Sequence, residues 1–275
     1  MESDLYKMML EAKNKIHKRI SIWMETKKIC LARHPISTII TPSIKYTFDT
    51  GNQIILNKKY KNTIITVESI DTIDAGIREL ENGAKPLLLN LADDCFPGGC
   101  VDTGSGAQEE SLFRRSNYFL SLDRKMYPLF ANDCIYSPEI TVFRKSEADN
   151  WDIYDNKFYK LDFIACPGLK YPVIEYKNGQ KKLRDDDVKI LQNKIRHILQ
   201  IAYKHGHDTV ILGALGCGAW KNPPYHVAEI FRDILPEFSG CFSKILFAVL
   251  KSAGDIETKF KDIDNYDIFT SILGS

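Results

Sequence analysis

The stretch that decides the fold runs from Pro86 to Leu122 and reads PLLLNLADDCFPGGCVDTGSGAQEESLFRRSNYFLSL. Leu87 to Leu91 is an apolar run with the length of a buried strand. A loop follows, carrying Pro97-Gly98-Gly99 and Gly104-Ser105-Gly106. A helical pattern begins near Ala107, with Leu112, Ser116 and Leu120 in register and Phe113 and Phe119 beside them. Strand, glycine loop and helix start together suit an anion, because glycines let backbone N–H groups approach a phosphate and the first helical turn has unpaired donors. Glu109 and Glu110 stand at that same turn. Two carboxylates repel a phosphate, so they make sense if they act on the sugar end of a nucleotide-like ligand. A plain strand-to-helix turn, with solvated acids favoured by the helix dipole, explains the spacing equally well.

Common nucleotide motifs do not fit. The run has no G-x-x-x-x-G-K-[ST] sequence, and Gly104-x-Gly106-x-x-Glu109 lacks the third glycine of a dinucleotide fingerprint.

The same arrangement recurs downstream. Asp185 opens a helix expected to reach His205, with Val188, Leu191, Ile195, Ile198 and Ala202 on one face and Gly206 ending it. Thr209 to Leu212 reads as a strand and leads into Gly213-Ala214-Leu215-Gly216-Cys217-Gly218-Ala219-Trp220. Asn222 is the expected N-cap of the next helix, with Pro223 in its first turn and its end near Leu235. Ile245 to Leu250 is the next strand. Two glycine loops after apolar strands point to a ligand at the carboxyl ends of a sheet.

Upstream, Ile64 to Val67 reads as a strand, and Asp71 as the cap of a helix over Thr72 to Glu81 that Gly83 ends. Leu5, Met9, Ala12, Ile16, Ile20 and Trp23 form a helical stripe expected to pack on the domain. Residues 35 to 62 read as short strands and turns. In the middle, Pro138 makes Cys134 to Arg144 an edge or bulged strand. Leu161 to Cys166 is a buried strand, and Tyr171 to Gly179 reads as a surface loop. His205 and His207, at a helix end, read as surface residues complementing the dipole.

With 37 basic and 36 acidic residues the net charge is +1, which argues against a broad nucleic-acid or membrane surface. No apolar run is long enough to span a bilayer, and MESDLYKMML does not read as a signal peptide. The seven cysteines form no C-x-x-C pair and read as reduced, mostly core residues of a cytoplasmic or nuclear protein.

A resemblance rests on particular residues. Asn90-Leu91-Ala92, Pro97-Gly98-Gly99, Gly106 to Leu112 and Arg115-Ser116 resemble the microbial-type poly(ADP-ribose) glycohydrolases, a branch of the macrodomains. That family carries three glycines followed by Gln-Glu-Glu. Here the third glycine is Cys100. Gly216-Cys217-Gly218, a bulky residue and Asn222 are similar to the family's diphosphate loop, and the likeness spans about Ile64 to Leu250.

The resemblance implies an α/β fold, a three-layer α/β/α macrodomain with a mixed central sheet. Residues 1–62 would be a helical extension packed on a catalytic core of residues 63–275. It implies Glu110 as the acid/base, Glu109 as a hydrogen-bonding partner of ribose hydroxyls, and Gln108 as the residue that places the loop. Asn90, Gly98, Gly99, Cys100, Gly213, Gly216, Cys217, Gly218, Ala219 and Trp220 would line the substrate. The implied activity is hydrolysis of ribose–ribose bonds in poly(ADP-ribose), releasing ADP-ribose, with no cofactor, no metal and no direct DNA contact, in a monomer. Removal of mono-ADP-ribose from proteins, and ADP-ribose binding without cleavage, remain alternatives. The Gln108-Glu109-Glu110 run favours cleavage over binding alone.

Overall fold

The computed structural model describes residues 2–32, 40–47, 55–155, 157–251 and 264–274. In chain order, α1 (Glu2–Leu31) precedes β1 (Ile44–Thr47), β2 (Ile64–Glu68), α2 (Thr72–Glu81) and β3 (Pro86–Asn90). Then come α3 (Gln108–Arg115), β4 (Asp133–Val142), β5 (Tyr159–Ala165), β6 (Ile174–Lys177) and β7 (Gln180–Leu183). The chain closes with α4 (Asp185–Lys204), β8 (Thr209–Leu212), α5 (Pro224–Ile234), β9 (Lys244–Ala248) and α6 (Asn265–Leu273).

Seven strands form one sheet in the order β1-β4-β5-β3-β8-β9-β2. From β5 to β2 the pairs are parallel, while β4 runs antiparallel to β5 and β1 antiparallel to β4. The sheet is therefore mixed. Its central strand β3 is buried at every residue, as an apolar run covered on both faces must be. Alternation divides it. Leu87 and Leu89 join Val210, Leu212 and Phe247 beneath α4, α5 and α6. Leu88 points the other way, with Ile211, Leu246 and Phe163, towards α2 and α3. Each such leucine, fully buried, contributes about 1.5–3 kcal/mol. The result is the expected three-layer α/β/α arrangement.

Local signals set several boundaries. Asp71 caps α2, its Oδ1 accepting from the Ile73 N–H at 2.8 Å and the Asp74 N–H at 3.3 Å. Arg115, fully buried at the end of α3, pairs with Asp71 at 2.5 Å and with Asp74, tying α3 to the start of α2. Gly206 follows α4 with φ +71°, the left-handed ending that glycine permits.

Other expectations need correction. The segment at Cys134 to Arg144 does carry a register shift, between Ser137 and Ile140, but it is not an outer strand: β1 pairs with Asp133 to Tyr136 and forms the edge. Residues 1–62 thus supply a strand of the central sheet as well as a helix. The supposed loop at Tyr171 to Gly179 is mostly a hairpin, β6–β7, turned at Asn178 (φ +53°) and Gly179 (φ +76°). Asn-Gly is the dipeptide that a tight hairpin with two positive φ values requires. His207 is buried rather than superficial. Its Nδ1 lies 3.1 Å from the Lys85 carbonyl and its Nε2 3.3 Å from the Tyr136 hydroxyl, while the His205 ring stacks on Tyr136 at 3.8 Å. Asn222 does not cap α5. Pro223 occupies the cap and Pro224 the first helical position, so neither needs an N–H partner. The helix α6 had no counterpart in the reading of the sequence, although Asp264 caps it and Phe269 is fully buried against Phe231 and Phe247.

The stripe on α1 packs only in part. Trp23, Thr26 and Cys30 are buried, while Met9 and Ile16 are exposed. The buried part lies against α3 and the turn Val101–Thr103. Trp23 Nε1 donates to Asp102 at 2.7 Å, and the Thr26 hydroxyl donates to the Arg114 carbonyl at 2.7 Å. Among the described residues no helix is long and apolar enough to cross a membrane.

Candidate active site

Strands β3 and β8 are parallel neighbours, with Leu88 beside Ile211, so the loops that follow them leave the same end of the sheet. The first loop is fastened by Gln108. Its Oε1 accepts from the Leu91 N–H at 2.9 Å, and its Nε2 donates to the Leu89 carbonyl at 2.7 Å and to the Thr72 hydroxyl at 3.1 Å. One side chain thereby joins the start of α3, the end of β3 and the start of α2. It fixes where the next two residues point.

Those residues are both buried, and their surroundings differ. Glu109 Oε1 accepts from Asn90 Nδ2 at 3.1 Å and the Gly98 N–H at 3.2 Å, and Oε2 accepts from the Asp93 N–H at 2.7 Å. Burial pushes its carboxyl up to about 8, against the pull of these three donors. Glu110 Oε1 accepts from the Cys100 N–H at 3.0 Å, whereas its buried Oε2 has no hydrogen-bond partner among the described residues. Arg114 stands one helical turn after Glu110. It is buried, its Nε and Nη1 have no partner among the described residues, and burial, with the charge of Arg19, pulls its guanidinium down to about 10.

The glycines of the first loop serve these carboxylates. Gly98 and Gly99 have φ of +82° and +52°. A Cβ on Gly98 would strike the Phe113 ring at 2.5 Å. Their N–H groups are already committed, that of Gly98 to Glu109 and that of Gly99 to the Phe96 carbonyl at 3.1 Å. The expected phosphate-facing role of this pair does not follow from that geometry. The loop is wound so that its donors meet Glu109 and Glu110. Cys100, in place of the third glycine, has φ −101°, which any residue adopts, and is exposed.

The second loop is different. Gly216 takes φ +75°, and the N–H groups of Gly216, Gly218, Ala219 and Trp220 have no acceptor among the described residues. Gly218 and Ala219 are exposed, while Gly213 and Cys217 are buried beneath them. Free amides in a glycine loop at a strand end suit a diphosphate.

Residues outside the expected substrate-lining set hold the loops together. Gly168, after β5, meets Gly216 so closely that a Cβ would lie 2.7 Å from its Cα. Asn222 Nδ2 donates to the Leu169 carbonyl at 2.6 Å and the Gly216 carbonyl at 3.0 Å. Lys170 pairs with Asp94 at 2.5 Å, and its ammonium sits 5.5 Å from the centre of the Trp220 ring. Asp93 Oδ1 accepts from the N–H groups of Cys95 and Phe96 at 2.8 and 2.9 Å. The spacing of Asp93 to these donors is that of an Asx turn, the one local signal that could have marked it. Ligand atoms of Asp93, Asp94 and Cys95 come within 4.8 Å of one another, but both acids are already engaged by these N–H groups and by Lys170.

Comparison with known proteins bears on this geometry. A family model described as the microbial-type PARG catalytic domain matches residues 11–145, which include the first loop and both carboxylates. The poly(ADP-ribose) glycohydrolase of Thermomonospora curvata superposes with a TM-score of 0.74 at 26% identity, covering 94% of this chain and 100% of that one. A structure of that enzyme bound to the inhibitor ADP-HPD gives 0.69 at 26% identity, covering 93% and 99%. The Deinococcus radiodurans glycohydrolase in complex with ADP-ribose gives 0.64 at 25% identity, covering 79% and 86%. No curated protein sequence matches. With the Gln108-Glu109-Glu110 run inside the matched region and both glycine loops at one end of the sheet, residues 11–145 match the microbial-type poly(ADP-ribose) glycohydrolase family and the chain as a whole is similar in fold to these enzymes.

Proposed function

We propose that the protein hydrolyses the ribose–ribose O-glycosidic bonds of poly(ADP-ribose) and releases ADP-ribose. The observation that carries this reading is the contrast between the two carboxylates. Glu109 is engaged by three N–H donors, while Glu110 keeps one oxygen with no partner. Cleavage of a ribosyl bond passes through an oxocarbenium-like transition state, in which the leaving oxygen needs a proton and the anomeric carbon needs a water. Glu110 gives its proton to the leaving ribose oxygen. The carboxylate that results takes a proton from the attacking water, which restores the acid. Glu109 anchors the loop and has room for one ribose hydroxyl at its remaining lone pair. The free amides of Gly216, Gly218, Ala219 and Trp220 hold the diphosphate. Asn90 and Cys100 flank the sugar.

The test is release of free ADP-ribose from poly(ADP-ribose), compared with release from mono-ADP-ribosylated protein. Glu110→Gln keeps the shape and removes the proton. General acid–base catalysis contributes ~10²–10⁴-fold, so turnover should fall by about that factor while ADP-ribose affinity, measured by calorimetry with a chelator present, stays nearly level. A Glu110→Gln variant as active as the wild type would dismiss this assignment.

A further inference from the structure

Phe96 precedes Gly99 by three residues, and Gly99 touches Glu110. Three residues of chain span at most about 10 Å. The Phe96 backbone therefore stands within roughly that distance of the Glu110 carboxyl. It is fixed on both sides: its N–H donates to Asp93 Oδ1 at 2.9 Å, and its carbonyl accepts from the Gly99 N–H at 3.1 Å. Asp93 in turn donates its own N–H to Glu109. The side chain on this rigid mount is nevertheless 50% exposed. One side of the ring is backed by Arg124, whose guanidinium carbon lies 4.0 Å from the ring centre. Arg124 and its neighbour Lys125 are exposed.

A half-open aromatic ring on a fixed backbone, backed by a cation, is a platform for a flat base. The chemistry of the polymer says which base. The oxygen that leaves when a ribose–ribose bond breaks belongs to the ribose of an adenosine. The adenine of that adjoining unit is thus one sugar away from the scissile bond, within reach of a ring whose backbone stands no more than roughly 10 Å from Glu110. The diphosphate of the same unit would lie near Arg124 and Lys125, cations suited to it.

Resting on the glycohydrolase reading, we propose that Phe96, backed by Arg124, is a leaving-group subsite that stacks the adenine of the adjoining ADP-ribose unit and makes the enzyme favour chains over single protein-linked ADP-ribose.

The experiment compares wild type, Phe96→Ala and Phe96→Tyr on poly(ADP-ribose) of defined length, on mono-ADP-ribosylated protein, and in binding of free ADP-ribose. Loss of one stacked base corresponds to a drop of roughly 5- to 100-fold. Phe96→Ala should lose about that much kcat/KM on chains, keep its ADP-ribose affinity and its rate on the single-unit substrate, and be rescued by Phe96→Tyr. A second measurement uses binding alone: in the Glu110→Gln background, Phe96→Ala should weaken binding of a short chain and leave ADP-ribose binding unchanged. Equal chain kinetics in wild type and Phe96→Ala, or an equal loss on both substrates, overturns the subsite while the hydrolase reading stands. A wild type that releases nothing from chains overturns the hydrolase reading first and the subsite with it.

Discussion

Gly99 lies directly against Glu110: a Cβ on Gly99 would sit 2.8 Å from Glu110 Oε1 and 3.3 Å from Glu109 Oε2. Its φ of +52° adds a second reason for glycine. Gly99→Ala should displace the Glu110 carboxyl and lower turnover on poly(ADP-ribose) by at least about tenfold, in the range expected when acid–base geometry is spoiled. ADP-ribose affinity should change little, since the free amides are on the other loop. Gly83→Ala is the control. That glycine has φ +83° but nothing within 4 Å of the new Cβ, so it bears only the backbone cost, about 1–3 kcal/mol. If both variants lose stability and neither loses activity, Gly99 has no catalytic meaning.

The parts of the site that were readable from sequence are those whose cause is local. The buried run Leu87 to Asn90, the glycines that need positive φ and the paired acids at the start of α3 each announce themselves within a few residues. The Asn178-Gly179 turn was equally local, but the polar residues around it masked a hairpin exposed to solvent. What was not readable depends on distant partners. Nothing near Asn222 says that it will reach Leu169, and nothing near Ile44 says that it will pair with Tyr136. The inward direction of the Gly98 and Gly99 amides is of the same kind, because it is decided by where Phe113, Glu109 and Glu110 come to rest. Burial of His207 arises likewise, from a strand 71 residues away.

Asn222 offers the next prediction. Its amide group joins the loops after β5 and β8, and it is 1% exposed. Asn222→Ala takes the side-chain donor from the Leu169 carbonyl, while the Gly216 carbonyl keeps the backbone N–H of residue 222 at 3.1 Å, so the loss should be about 1–3 kcal/mol for one orphaned buried group. Thermal unfolding should register that loss, and calorimetry should register weaker ADP-ribose binding as the free amides lose their support. Asn222→Asp should be worse than Ala on both counts, because it turns an acceptor towards two acceptors. An Asp variant that binds ADP-ribose like the wild type would remove Asn222 from the site.

Stability should have an optimum in pH, with a different group on each side. Burial holds the imidazoles of His197 and His207 down to about 4, whereas an unfolded histidine titrates at about 6.5. Below that value the unfolded chain binds protons that the folded chain refuses, so stability falls as pH drops from about 6.5 to 4. Glu109 acts with the opposite sign. Its folded carboxyl titrates at about 8 and its ordinary value is 4.5, so its contribution is complete below 4.5 and is lost as pH rises through 8. A Tm profile should fall on both sides. His207→Gln should flatten the acid limb, and a limb that keeps its slope in that variant would assign the acid loss elsewhere.

Cys100 is where the chain departs from the pattern of the family it resembles, and its backbone decides what the departure means. With φ −101° the residue sits in ordinary territory, so a glycine there would bring no conformation that cysteine lacks. Its N–H still reaches Glu110, and its carbonyl still closes the turn to Thr103 at 3.2 Å. The only thing added is an exposed side chain beside the Glu110 carboxyl. Cys100→Gly should therefore leave ADP-ribose affinity within a few-fold and lower stability by about 0.5–1 kcal/mol through added backbone freedom. Because the sulfur can act only by occupying space next to the sugar, its removal should raise the rate on chains relative to single protein-linked units. A ratio that does not move, alongside the expected loss of stability, would mean that the thiol stands clear of the path of the polymer.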